Sequence, residues 1–191
     1  MLLDADILSP WFEQALPFEA FVDDADLMHQ GTWRERWDRL ALSEAQQATV
    51  SGFTRTMRIL CLTGRWCGDC ALQGAALGRI AEAAGDRVDL RFLERGEHTA
   101  PLVVASMINA GTRVPVTWLM AEDGAPAARM GDRTLSRYRS MARKALGDTS
   151  NVKATSPEDP VREVLQEVLD EVERVQLLLR LSPRLRQRHG D

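Results

Sequence analysis

The stretch that decides the reading is Arg65-Trp66-Cys67-Gly68-Asp69-Cys70. It follows an apolar run, Met57-Arg58-Ile59-Leu60-Cys61-Leu62-Thr63, and precedes a small-residue helical pattern that begins at Ala71. A Cys-x-x-Cys pair placed after a strand and at the opening of a helix is a redox dithiol. Unpaired N–H groups and the positive end of the peptide dipoles at a helix start both favour a thiolate on the first cysteine. The second cysteine, three positions on, shares that helical face and is close enough to close a disulfide. Cys67 is therefore expected to attack and Cys70 to resolve.

On either side of the motif the pattern continues. Ile59 to Thr63 is continuously apolar and predicts a central buried strand. Ala71 to Ala84 predicts the helix behind the dithiol, with Gly74 and Gly78 allowing close packing at a cost in propensity. Val88 to Leu93 alternates as a second strand. Thr99 to Asn109 predicts a helix, Gly111 to Thr117 leads into a strand at Pro115, and Glu122-Asp123-Gly124 signals a hairpin turn into a strand through Met130. A last helix ends near Leu146-Gly147. Pattern alone implies an α/β domain with a mixed sheet.

The Trp66-Cys67-Gly68-Asp69-Cys70 motif, joined to Arg113-Val114-Pro115-Val116-Thr117-Trp118-Leu119-Met120 downstream, resembles the thioredoxin superfamily. The likeness is closest to a bacterial branch with Gly-Asp between the cysteines and a helical N-terminal extension, and it covers roughly residues 57–146. It implies a thioredoxin-like fold: a central mixed β-sheet flanked by helices. It also implies a cis Val114–Pro115 bond facing the dithiol, the Val114 backbone offering a strand edge to an extended substrate. Trp66, Gly68, Asp69, Val114 and Pro115 are the substrate-binding positions so implied.

One position departs from the family pattern. Six residues before Cys67, where such proteins often hold a buried carboxylate that helps deprotonate the resolving cysteine, this chain has Cys61. A buried neutral thiol is a poor base, so Glu94 and Asp69 become the candidates for that role. Asp69 also tunes Cys67: its charge opposes a nearby thiolate, and Arg65 is the residue expected to offset it.

Flanking segments complete the division. Residues 1–56 read as a helical extension packed on the domain: Ser9-Pro10-Trp11 places proline at a helix start, and Ser43-Glu44-Ala45-Gln46 is a capping box. Trp33 and Trp37, four apart, form an apolar face that either anchors the extension or lines a groove for a substrate or partner, anchoring being the ordinary use of such a stripe. Residues 57–146 are the dithiol domain and 147–159 a polar linker. Residues 160–191 are an amphipathic helix, with Val161, Leu165, Val168, Val172, Val175 and Leu179 as a heptad seam, and a basic tail, Arg184 to His189, expected to be mobile. That stripe serves either docking on the domain or a homodimer through the 160–180 helix.

The totals bound the function. Hydrophobic residues at 45% and charged residues at 27% predict a soluble globular protein. A net charge of −4 gives no overall attraction to nucleic acid or an anionic membrane. No secretory signal or spanning segment is read, so the expected location is cytoplasmic. There a Cys-x-x-Cys is a redox or metal device, but zinc needs four ligands, and Cys61, His29, His98 and His189 are scattered. No flavin or nicotinamide fingerprint is present, so no cofactor is expected. An external reductase or low-molecular-weight thiol must return electrons after a protein or small-molecule disulfide is reduced. The alternative is an interaction module of this fold, with a redox-sensing dithiol and the C-terminal helix as the binding element.

Overall fold

The computed structural model describes residues 3–147 and 159–190. Most of the expected linker, 148–158, therefore lies outside the described residues. Four helices come first: α1 (Ala5–Gln14), α2 (Phe18–Asp23), α3 (Leu27–Arg39) and α4 (Glu44–Ser51). The domain follows as β1 (Met57–Thr63), α5 (Gly68–Ala84), β2 (Val88–Glu94), α6 (Ala100–Ala105), β3 (Val116–Ala121), β4 (Pro126–Met130) and α7 (Leu135–Leu146). Then come α8 (Pro160–Leu181) and α9 (Pro183–His189).

The sheet order is β2-β1-β3-β4, with β1 parallel to β2 and the other pairs antiparallel. β1 is central and buried almost throughout, which is why it reads as an unbroken apolar run rather than an alternating one. A parallel pair bridged by α5, followed by an antiparallel hairpin and a covering helix, is the thioredoxin-like arrangement that the resemblance implies.

The extension is fastened to this sheet. Leu16 and Phe92 exchange backbone hydrogen bonds of 2.9 and 2.7 Å, so the chain between α1 and α2 caps the β2 edge. Trp33 is fully buried, boxed by Phe18, Phe21 and Phe92, and the Trp37 ring packs on Phe18 at 4.5 Å. Trp33 is thus an anchor, while Trp37, partly buried, also lines a groove with Pro17, Phe18 and Gly78. Gly74 and Gly78 explain how α3 comes so close to α5. A Cβ at Gly74 would sit 2.4 Å from the Trp33 ring, and one at Gly78 would sit 2.5 Å from the Trp37 ring.

Of the heptad stripe, Leu165, Val168, Val172, Val175 and Leu179 are buried within the chain against the domain and Val161 is partly buried. Polar contacts set its register. Gln176 donates to the Arg55 carbonyl at 2.9 Å, and Glu167 accepts from the Ser136 amide at 2.9 Å and its hydroxyl at 2.7 Å. In this chain the stripe faces the domain.

Three local expectations are corrected. Pro10 lies inside α1, which begins at Ala5 after an Asp4 cap. The helix expected over Thr99–Asn109 ends at Ala105. Ser106 turns its hydroxyl back onto the Leu102 carbonyl at 2.6 Å, and Asn109 and Ala110 take positive φ in a tight turn closed by Ile108 and Gly111. The basic tail is also not loose. Ser182-Pro183 starts α9, Leu185 is buried, and Arg184 and Arg188 both pair with Asp123 on the β3–β4 turn. A serine cap followed by proline at the first helical position is the readable signal for that helix.

Candidate active site

Cys67 is the N-cap of α5, in extended backbone, and its Sγ accepts the Cys70 amide at 3.4 Å. The sulfur thus takes the place that a serine or aspartate oxygen takes at an ordinary helix start, which is a favourable position for a thiolate. The hydrogen bond from the Cys70 thiol lowers the Cys67 pKa most. The Cys70 and Asp69 amides lower it further, against partial burial and the Asp69 charge, leaving it at about 6. Cys70 is fully buried. Its pKa is pushed up by burial first and then by the neighbouring Cys67 sulfur. The pair is therefore polarised, with an accessible thiolate in front and a protonated thiol behind.

Val114 meets this pair from across the fold. Its bond to Pro115 is cis, and its carbonyl oxygen lies 3.9 Å from Cys67 Sγ. Trp66 is 56% exposed, with the Arg95 guanidinium 5.9 Å from its ring centroid. At Gly68, a Cβ would meet nothing within 4 Å, so the helix start presents open space beside Cys67. Trp66, Gly68, Asp69, Val114 and Pro115 are thus gathered around the dithiol by β1, the α5 start and the β3 entry.

Arg65 does not offset Asp69. Its guanidinium turns the other way, to the Phe21 carbonyl (3.0 Å), Asp24 (2.9 Å) and Glu94 (3.4 Å). Asp69 is instead held by Arg133 at 2.7 Å and Arg137 at 2.8 Å, both from the β4–α7 region. Behind them lies Asp132, buried, taking Arg133 at 3.0 Å, Arg113 at 3.2 Å and the Tyr138 hydroxyl at 2.7 Å. Burial opposes the Asp132 charge, but the Tyr138 hydrogen bond and the two arginines outweigh it and hold its carboxyl below the usual range. Nothing in the spacing of residues 132–138 announces this cluster, because its partner Asp69 is far away along the chain.

The place of the missing carboxylate is equally specific. Cys61 is fully buried, its pKa pushed up to about 12 by burial, and its Sγ accepts the Thr117 hydroxyl at 3.3 Å. Glu94 accepts the Arg65 amide at 3.2 Å, and burial raises its pKa. Among the described residues, neither Glu94 nor Asp69 has a hydrogen bond to Cys70, and no three metal-ligating side chains converge.

Asp69→Asn tests the electrostatics. The aspartate charge opposes the Cys67 thiolate, and its loss also frees two guanidiniums to act on the sulfur. The Cys67 pKa should therefore fall below about 6. Because the folded-state pKa is already depressed, the thiolate's stabilisation is fully present above the ordinary cysteine range and is lost as pH falls through about 6. Alkylation by iodoacetamide across pH reads the midpoint directly. An unchanged or raised midpoint in the variant would contradict the assignment.

Comparison with known proteins adds to this geometry. No curated protein matches the chain. A crystal structure of a Pseudomonas aeruginosa protein of unknown function is similar at 19% identity and a TM-score of 0.65, covering 86% of this chain and 93% of that one. An HIV epitope scaffold is similar at 18% identity and a TM-score of 0.59, covering 85% and 97%. These likenesses concern the fold. Residues 15–143 match a protein family described as Thioredoxin, a span that includes α2 to α4 as well as the dithiol and Pro115. With more than half of its length in that match, the chain belongs to the thioredoxin family.

Proposed function

We propose that the protein is a thiol-disulfide oxidoreductase that reduces protein or small-molecule disulfides through Cys67 and Cys70. The observation that carries this reading is the Cys67 sulfur at the α5 N-cap, with a pKa of about 6, backed by a buried, protonated Cys70. Cys67 attacks a substrate sulfur and forms a mixed disulfide. Cys70 then attacks Cys67 Sγ, releasing reduced substrate and leaving an intramolecular disulfide. Val114 and Pro115 flank the attacking sulfur on one side, with Trp66, Gly68 and Asp69 on the other, and these five are the proposed substrate contacts. Electrons return from an external reductase or a low-molecular-weight thiol. A reducing compartment such as the cytoplasm suits a Cys-x-x-Cys that works as a reductant. No described helix is long and apolar enough to cross a membrane.

An interaction module would need the Trp33 face or the α8 stripe as its binding element. Trp33 and most of the α8 stripe are buried within the chain, with Trp37 and Val161 partly buried, so the dithiol reading is the one the geometry favours. The deciding experiment is the Cys67/Cys70 reduction potential, by equilibration in glutathione buffers with mass detection of the disulfide. A value near or below roughly −230 mV fits a reductase, whereas one near −180 mV or higher fits an oxidant or isomerase. If no intramolecular disulfide forms, the proposal fails.

A further inference from the structure

Beside Cys67 runs a groove of about 470 Å³ whose walls come from three separate parts of the chain. Arg36 of α3, Arg133 and Arg137 of the β4–α7 region, and Pro160 and Val161 at the start of α8 all line it. Trp66 and Leu72 supply its apolar lining beside Cys67. We propose that this groove makes the protein selective for small disulfides bearing carboxylates, with Cys67 attacking the sulfur while the arginines hold the acidic arm. The proposal rests on the dithiol reading above and names its substrate class.

Charge is the first argument. The chain as a whole is acidic, with a formal charge of −4, and a thiolate adds another negative charge where a substrate must land. An anionic disulfide would be repelled by both unless the landing site were locally positive. Among the described residues that line the groove, three arginines face a single carboxylate, Asp69. The Asp69 side chain is only 11% exposed and is already bound by Arg133 and Arg137. Arg36 pairs only loosely, at 3.4 Å, with Glu35, which is 57% exposed. A guanidinium has five N–H donors in a planar fork suited to carboxylate; Arg133 divides its donors between Asp69 and Asp132, so the donors left for a substrate are chiefly those of Arg36 and Arg137.

Size is the second argument. The volume falls in the range of small-molecule sites, roughly 300–1,000 Å³. It accommodates the half of a small disulfide that stays on Cys67. That half would lie along Leu72 and Trp66 with its carboxylate reaching Arg36.

The chemistry balances without a further reactant in the half-reaction. The Cys67 thiolate forms a bond to one substrate sulfur, the substrate S–S bond breaks, and the first thiolate leaves and takes a proton from solvent. Cys70 gives up its proton as its sulfur attacks Cys67 Sγ, and the second thiolate leaves and is protonated. The dithiol loses two electrons and the substrate gains two.

Single-turnover stopped-flow with the reduced full chain tests this, using three probes: 3,3′-dithiodipropionate (anionic), bis(2-hydroxyethyl) disulfide (neutral) and cystamine (cationic). Each rate is divided by that of dithiothreitol with the same disulfide, which removes intrinsic reactivity. The anionic probe should be favoured over the neutral one by about tenfold, cystamine should be slowest, and the preference should shrink as salt rises. Arg36→Gln should lower the anionic-to-neutral ratio several-fold, and Arg36→Lys should restore part of it. Equal normalised rates for all three probes at low salt would overturn the selectivity and leave the dithiol reading standing. If no probe yields the Cys67–Cys70 disulfide by mass, both fall. The salt series on the unaltered protein decides the question even if an Arg36 variant folds poorly.

Discussion

Cys67→Ser should lower the rate of disulfide reduction on the order of 10³-fold or more, to the level of unassisted buffer thiols. A serine hydroxyl at the α5 N-cap can still accept the Cys70 amide, so the helix start and the fold should persist. What disappears is a group ionised at neutral pH. Cys70→Ser separates the two steps. Cys67 remains able to attack, but nothing resolves the product, so one equivalent of thiol is released per protein instead of two. A stable Cys67 adduct should then be visible by mass. Cys70→Ala should do the same and also raise the Cys67 pKa above about 6, because the Cys70 thiol hydrogen bond is the largest influence lowering it. Cys61→Val is the contrasting change: Cys61 is enclosed in β1, and burial keeps its thiol protonated, so single-turnover chemistry should survive. Release of two thiols by the Cys70→Ser protein, or full turnover without Cys67, would end the assignment of roles.

The parts of this molecule legible in its sequence are those whose cause is local. A Cys-x-x-Cys at a strand-to-helix junction, an apolar run for a central strand and a capping box at Ser43 each state their structure within a few residues. The position of Pro115 opposite the dithiol is legible through resemblance and not through spacing. What escapes depends on distant pairs. Asp132 reads as an ordinary turn aspartate, yet it is buried as the junction of Arg113, Arg133 and Tyr138. Arg65 precedes the motif and invites an electrostatic role at Asp69, but the N-terminal extension supplies Phe21 and Asp24 and draws its guanidinium away. Arg36, on a strongly charged helix, reads as part of a solvated face, yet the fold sets it beside Cys67. Gln176 interrupts no pattern in the heptad stripe, and only the Arg55 backbone opposite explains a buried amide there. Charged and polar side chains have long reach and several partners, so their pairing is settled by tertiary structure, whereas hydrophobic period and turn chemistry are settled along the chain.

Trp33→Ala should cost about 3–5 kcal/mol, the usual range for emptying a buried aromatic site, and a large share of the roughly 5–15 kcal/mol that ordinarily holds a domain folded. The effect has two parts that variants can separate. Trp33 fills the space between the extension and α5, touching Phe18, Phe21 and Phe92. Its indole N–H also donates to the Arg65 carbonyl at 3.0 Å, directly before Trp66 and Cys67. Trp33→Phe keeps much of the packing and removes the hydrogen bond, so it should cost less, about 1–3 kcal/mol for a carbonyl left unpaired. Gly74→Ala approaches the same contact from α5. Alanine is the better helix former by about 1 kcal/mol, yet its methyl would stand 2.4 Å from the Trp33 ring, which its aromatic neighbours prevent from moving aside. Overpacking of this kind costs about 1–3 kcal/mol, so the net effect at Gly74 should be destabilising. In a Trp33→Leu background the obstruction is gone and the helix gain remains, so the same Gly74→Ala change should become neutral or stabilising. Urea unfolding of the four proteins in that cycle measures the coupling. A Gly74→Ala cost that is the same in both backgrounds would show that the close approach of α3 to α5 does not depend on this glycine.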